Sequence, residues 1–106
     1  MTLRFVPVCL LMLLGAAAAV GEEHVITQKN KQFSQPTIRI ARNDTIRFLN
    51  QDNLAHNVFA RSPIADFNVK LQEPGSSDVV RFSKPGIVEV RCAIHPKMKI
   101  KVEVAP

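Results

Sequence analysis

Ile87-Val88-Glu89-Val90-Arg91-Cys92-Ala93-Ile94-His95-Pro96-Lys97-Met98-Lys99-Ile100-Lys101-Val102-Glu103-Val104 sets two alternating runs around one short loop. Period-two alternation sends successive side chains to opposite faces of a strand. Val88 and Val90 therefore share a face with Cys92, while Glu89 and Arg91 point away. Lys99 to Val104 is the cleanest alternation in the chain, with Ile100, Val102 and Val104 on one face. The pattern predicts two strands of an all-β domain, with Cys92 delivered to the inward side at the loop's start.

The rest of the chain extends this reading. Val25-Ile26-Thr27-Gln28 is a short β-prone run, Lys29 to Gln32 is polar, and Phe33-Ser34-Gln35-Pro36 reads as a loop. Thr37 to Ala41 and Thr45 to Asn50 alternate on either side of Arg42-Asn43-Asp44, a turn by residue chemistry. The two runs are expected to be adjacent antiparallel strands. After the break at Gln51-Asp52-Asn53, His56 to Ala60, Phe67 to Leu71 and Asp78 to Phe82 read as further strands. Glu73-Pro74-Gly75-Ser76 and Lys84-Pro85-Gly86 supply turns, and no stretch keeps a helical period over two turns. Seven or eight short strands at this spacing predict a β-sandwich or barrel. The expected core is Ile38, Ile40, Ile46, Phe48, Val58, Phe67, Val69, Leu71, Val80, Phe82, Val88, Val90, Ile100, Val102 and Val104.

The first residues read differently. Arg4 is the only charge before Glu22, an apolar run spans Phe5 to Leu14, and small residues occupy Gly15 to Ala19. Positive, then apolar, then small is the order of a secretory signal, predicted over residues 1–21 with cleavage after Ala19 or Gly21. The apolar run is short of the roughly 20 residues a membrane span requires. Residues 22–106 then form one domain with no membrane span. All 9 acidic residues lie downstream, so losing Arg4 lowers the net charge from +5 to +4. That excess is spread along the chain, without an arginine-rich helix, zinc-finger spacing, Tyr or Trp, and nucleic acid is excluded as the expected partner. An acidic protein partner is compatible with it. Of the 2 cysteines, Cys9 leaves with the signal, so the exported domain has no internal disulfide and Cys92 stays unpaired. An unpaired thiol in an oxidising compartment is buried, paired with another molecule, or a metal ligand.

Cys92, His95 and Met98 follow C-x-x-H-x-x-M spacing, and His56 offers a further imidazole at the border of another strand. One thiolate, two imidazoles and a weak thioether are the donor set of a mononuclear electron-transfer copper, cycling between Cu(I) and Cu(II). A structural zinc prefers four Cys or His donors, and a thioether is a poor one. Pro96 stiffens the loop. Asn57, beside His56, is placed to hydrogen-bond across to the Cys92 loop and orient it. No acid/base pair or open metal position is legible, so no enzyme is expected.

His56-Asn57 followed by Cys92, His95, Pro96 and Met98 between β-runs resembles the cupredoxins, the type 1 blue-copper proteins. The C-x-x-H-P-x-M loop is similar to their short-loop amicyanin/plastocyanin-like branch. The resemblance extends through Phe33-x-x-Pro36, the Ile38 to Asn50 strand pair and the Pro85-Gly86 turn. It implies a Greek-key β-sandwich, one copper held by His56, Cys92, His95 and Met98, and one-electron shuttling between redox proteins in the periplasm by a monomer. The same ligands could instead serve copper trafficking or resistance. In two places the chain departs from the family pattern. Lys97 and Lys99 stand where an apolar docking surface is usual, which points to an acidic partner, and Asn43-Asp44 replaces Gly-Asp. His24 has no partner visible in the sequence; cleavage after Gly21 would leave it third from a free amine, an arrangement that chelates Cu(II).

Overall fold

The alternating runs become nine strands in a computed structural model that describes Arg4 and residues 21–106. The predicted signal segment, Cys9 included, otherwise lies outside the described residues. The strands are β1 (Glu23–Lys29), β2 (Gln32–Phe33), β3 (Thr37–Ile40), β4 (Thr45–Asn50), β5 (His56–Arg61), β6 (Asp66–Gln72), β7 (Ser77–Arg81), β8 (Gly86–Arg91) and β9 (Lys99–Val104). They form a sandwich of a four-stranded sheet, β2-β1-β4-β7, and a five-stranded sheet, β3-β9-β8-β5-β6. No helix among the described residues is long and apolar enough to cross a membrane. The ninth strand is β2, two residues taken from a segment that reads as polar and loop-like in sequence. Asn30 and Lys31, at φ 54° and 57°, turn the chain back so that β2 pairs with the end of β1.

One strand pairing differs from expectation. β3 and β4 are not neighbours: β3 pairs parallel with β9, and β4 lies between β1, parallel, and β7, antiparallel. The turn between them has the expected chemistry but carries the chain from one sheet to the other. Asn43 adopts φ 74°, Asp44 Oδ2 accepts the Ala41 amide at 2.8 Å, and Asn43 N donates to Phe82 O at 2.7 Å. Turn chemistry specifies a reversal without specifying the sheet that receives the next strand. Ile40 from β3 and Ile46 and Phe48 from β4 then meet in the core from opposite sides.

The core follows the alternation except on β6. Ile46, Phe48, Val58, Val90, Ile100 and Val102 are fully buried, and Phe48 contacts Phe33 edge-on and stacks on Phe67. Ile26, Phe33 and Ala60 join them, although the short runs around them did not mark them as core in sequence. Leu71, expected inside, is 61% exposed. The cause is a β-bulge: Asn57 pairs with Leu71 but Phe59 pairs with Asn68, so β6 carries one extra residue, and Lys70 sits at φ 66°. An extra residue reverses the inside–outside parity beyond it. Gln72, rather than Leu71, turns inward, and its amide bonds Gln28 Nε2, Phe48 O and Asp78 Oδ2.

Candidate metal centre

The loop after β8 holds its shape through its own backbone. Cys92 N donates to Met98 O at 3.3 Å and Met98 N to His95 O at 2.9 Å. Antiparallel pairing of β8 with β9 up to Arg91↔Lys99 fixes the loop's two ends side by side. The inward parity of Val88 and Val90 continues to Cys92, which is 2% exposed, and that of Ile100 runs back to Met98, also 2% exposed. The seven residues from Cys92 to Met98 are thus a closed turn with its first and last side chains buried and its middle at the surface.

β5 brings the remaining groups. His56 is completely buried, and its Nδ1 lies 3.1 Å from His95 Nδ1. Cys92 Sγ lies 3.7 Å from the same His95 nitrogen, and the donor atoms of His56, Cys92 and His95 all fall within 4.8 Å of one another. Two imidazole nitrogens each about 2.0 Å from a shared ion, at ordinary ligand angles, stand roughly 3 Å apart. The observed separation therefore suits a metal ion between them. Met98 lines the same surface cleft as His95, together with Lys31, Gln32, Ile94, Pro96 and Lys97.

Hydrogen bonding sets which nitrogen His56 presents, and burial favours the neutral form of His95. Asp52 Oδ2 accepts from His56 Nε2 at 2.9 Å and from the Lys31 amide at 3.0 Å. The Lys31 amide first, and then the His56 contact, hold the Asp52 carboxyl at about 2, so it is ionised near neutral pH and can only accept. The proton of neutral His56 accordingly sits on Nε2, leaving the Nδ1 lone pair facing His95 and Cys92. His95 has its pKa lowered by burial first, and then by its neighbours His56 and Lys31, against an opposing pull from Asp52. A neutral imidazole is the form that binds metal.

Asn57 ties the two halves together. Its backbone N donates to Cys92 Sγ at 3.3 Å, and its side-chain Oδ1 accepts the Ala93 amide at 3.2 Å. This is the cross-loop contact expected from the sequence, with the amide-to-sulfur bond added. His24 lies elsewhere. β1 pairs with β4 from Glu23↔Thr45 to Gln28↔Asn50, so His24 and Asp44 sit near one end of that pair and Asp52 beyond the other. His24 does have a partner: Nε2 bonds Asp44 Oδ2 at 2.9 Å, holding the Asp44 carboxyl below its usual range, and Glu22 Oε2 stands 3.9 Å away. Sequence reasoning missed Asp52, which it read only as a strand break. Its signal was a carboxylate four residues before a histidine, at the entrance to that histidine's strand.

Residues 22–105 match the family of copper binding proteins of the plastocyanin/azurin type. Amicyanin-alpha of Methylorubrum extorquens is 32% identical over 90 residues, covering 82% of this chain and 75% of that protein. The methylamine utilization protein MauL of the same organism is 26% identical over 91 residues, covering 85% and 80%. A reduced Cu(I) form of an amicyanin variant shares the fold at a TM-score of 0.71, with 20% identity over 85% of this chain and 87% of that one. The sandwich, the short loop from Cys92 to Met98 and the match over nearly all described residues make this chain a member of the plastocyanin/azurin family of copper-binding proteins, with copper as its cofactor.

Proposed function

We propose that this protein carries single electrons between larger redox proteins in the periplasm, with His56, Cys92 and His95 as strong copper ligands and Met98 as a weak axial one. The observation that carries the reading is the convergence of two Nδ1 atoms and one thiol sulfur beneath a loop fixed at both ends. Copper, when bound, supplies the one-electron couple; the protein supplies a setting that changes little between the two states. Cys92, His56 and Met98 are buried, and the Asp52 and Asn57 contacts hold His56 and the sulfur from behind. A site held this way needs little rearrangement on gaining or losing an electron, which favours electron carriage over ready release of the ion.

His95 is the partly exposed member and the natural outlet for the electron. Ala93, Ile94 and Pro96 are exposed around it and can exclude water at a contact, and the exposed Lys31, Lys97 and Lys99 stand at the rim. Apolar centre and basic rim together fit an acidic protein partner. Residues 1–21 are the signal that delivers the domain, which works as a monomer and not as an enzyme.

The test is the visible spectrum of the copper-loaded protein. An intense thiolate-to-copper band is expected in the Cu(II) form and should vanish in Cys92→Ser; a band that survives that substitution refutes the ligand assignment. Reversible one-electron voltammetry supports electron carriage. Ready stoichiometric transfer of copper to an acceptor protein would replace that role with copper delivery. N-terminal sequencing of exported protein should find Val20 or Glu22 first.

A further inference from the structure

The bulge on β6 lies against β5, and Asn57 of β5 bonds both the bulge and the loop after β8. Lys70 is held at φ 66°, a conformation that strains a non-glycine residue. Asn68 Oδ1 accepts the Lys70 amide at 2.8 Å and, on the same oxygen, Asn57 Nδ2 at 2.8 Å. Asn57 Nδ2 also donates to Lys70 O at 2.8 Å. Both hydrogens of the Asn57 amide are therefore committed to β6. Its oxygen must then face the other way, where it receives the Ala93 amide from the ligand loop. The backbone N of the same residue donates to Cys92 Sγ. Asn68 is exposed and touches no proposed ligand, so core packing does not require an asparagine there.

We infer that Asn68 is a positioning residue for the copper thiolate, acting through Asn57 on the hydrogen bond to Cys92 Sγ; this rests on the copper assignment proposed above. A donor at the sulfur draws electron density from it and favours the reduced site, so loosening that donor favours Cu(II). A neutral hydrogen bond is worth about 0.5–1.5 kcal/mol net, equivalent to roughly a two- to tenfold change in an equilibrium.

Three variants separate orientation of Asn57 from mere support of the bulge. Asn68→Ala removes the acceptor, Asn68→Asp keeps it, and Asn68→Ala combined with Lys70→Gly removes it while relieving the backbone strain. On copper-loaded protein, Asn68→Ala should raise the Cu(II)/Cu(I) ratio at fixed ambient potential roughly two- to tenfold and shift the thiolate band. The Lys70→Gly combination should not restore the parental ratio. On copper-free protein, amide NMR should show the Asn57 side-chain and Ala93 backbone signals displaced in Asn68→Ala and recovered in Asn68→Asp. Unchanged NMR signals and potential in Asn68→Ala, or full recovery on adding Lys70→Gly, overturn the inference. The copper-free measurement stands whether or not Cys92 proves to be a ligand, so failure here is distinguishable from failure of the copper assignment.

Discussion

Ile100→Ala and Leu71→Ala remove the same group from two strand positions that look alike in sequence, and the structure predicts unequal costs. Ile100 is 0% exposed, between the buried end of the ligand loop and the core. Losing roughly three methylene equivalents there costs about 2.4 kcal/mol in transfer, and the cavity left behind brings the total to about 2–5 kcal/mol. Leu71 is 61% exposed, so only about two-fifths of the transfer term applies, at most about 1 kcal/mol. The assay is urea and thermal unfolding of copper-free protein, because bound copper adds stability that depends on its own affinity. Thermal midpoints should fall by roughly 10–30 °C for Ile100→Ala and by less than about 8 °C for Leu71→Ala. Equal losses, or a Leu71→Ala loss above about 2 kcal/mol, would show that β6 keeps unbroken alternation and that the bulge reasoning is wrong.

Acid should expose the two lowered carboxylates. Asp52 and Asp44 have folded-state pKa values below the ordinary 3.8, so their contribution is present above that value and lost as pH falls toward the folded one, about 2 for Asp52. Urea midpoints of copper-free protein should therefore drop between about pH 4 and 2, less steeply in Asp44→Asn; identical slopes would contradict the role given to Asp44. Gly86→Ala should destabilise by about 1–3 kcal/mol, since Gly86 sits at φ 137° and an added Cβ would run into Ile64. Adding Ile64→Ala should relieve the collision but not the backbone strain, so complete recovery would rule the strain out. Lys97→Glu should slow electron transfer with an acidic partner at low salt and converge on the parent as salt rises. A rate loss independent of ionic strength would count against a basic docking rim.

The class of fold, and the three members of the proposed donor set between Cys92 and Met98, were legible because their patterns are local. Alternation in Lys99 to Val104 reports a half-buried strand wherever it lies, and Cys92, His95 and Met98 fall within seven residues, close enough for one turn to gather them. What the letters concealed was long-range. Nothing in Arg42-Asn43-Asp44 distinguishes a hairpin from a crossing between sheets; the choice is made by Ile40 and Phe48 meeting across the core and by β9 being available to β3. Leu71 misled because a bulge is a property of two strands, and its cause, the Asn57–Asn68 contact, joins residues 11 apart. Asp52 was only half visible: its spacing to His56 is local, but the Lys31 amide that holds its carboxyl ionised is 21 residues away.

The placement of β9 also orders events in time. It is the last of the nine strands to leave the ribosome, yet it is an interior member of its sheet, bonded to β3 on one side and β8 on the other. Until Lys99 to Val104 arrives, β3 has no partner in that sheet and the ligand loop has no second anchor. Pairing residue 37 with residue 101 also demands closure of a long loop, which slows folding.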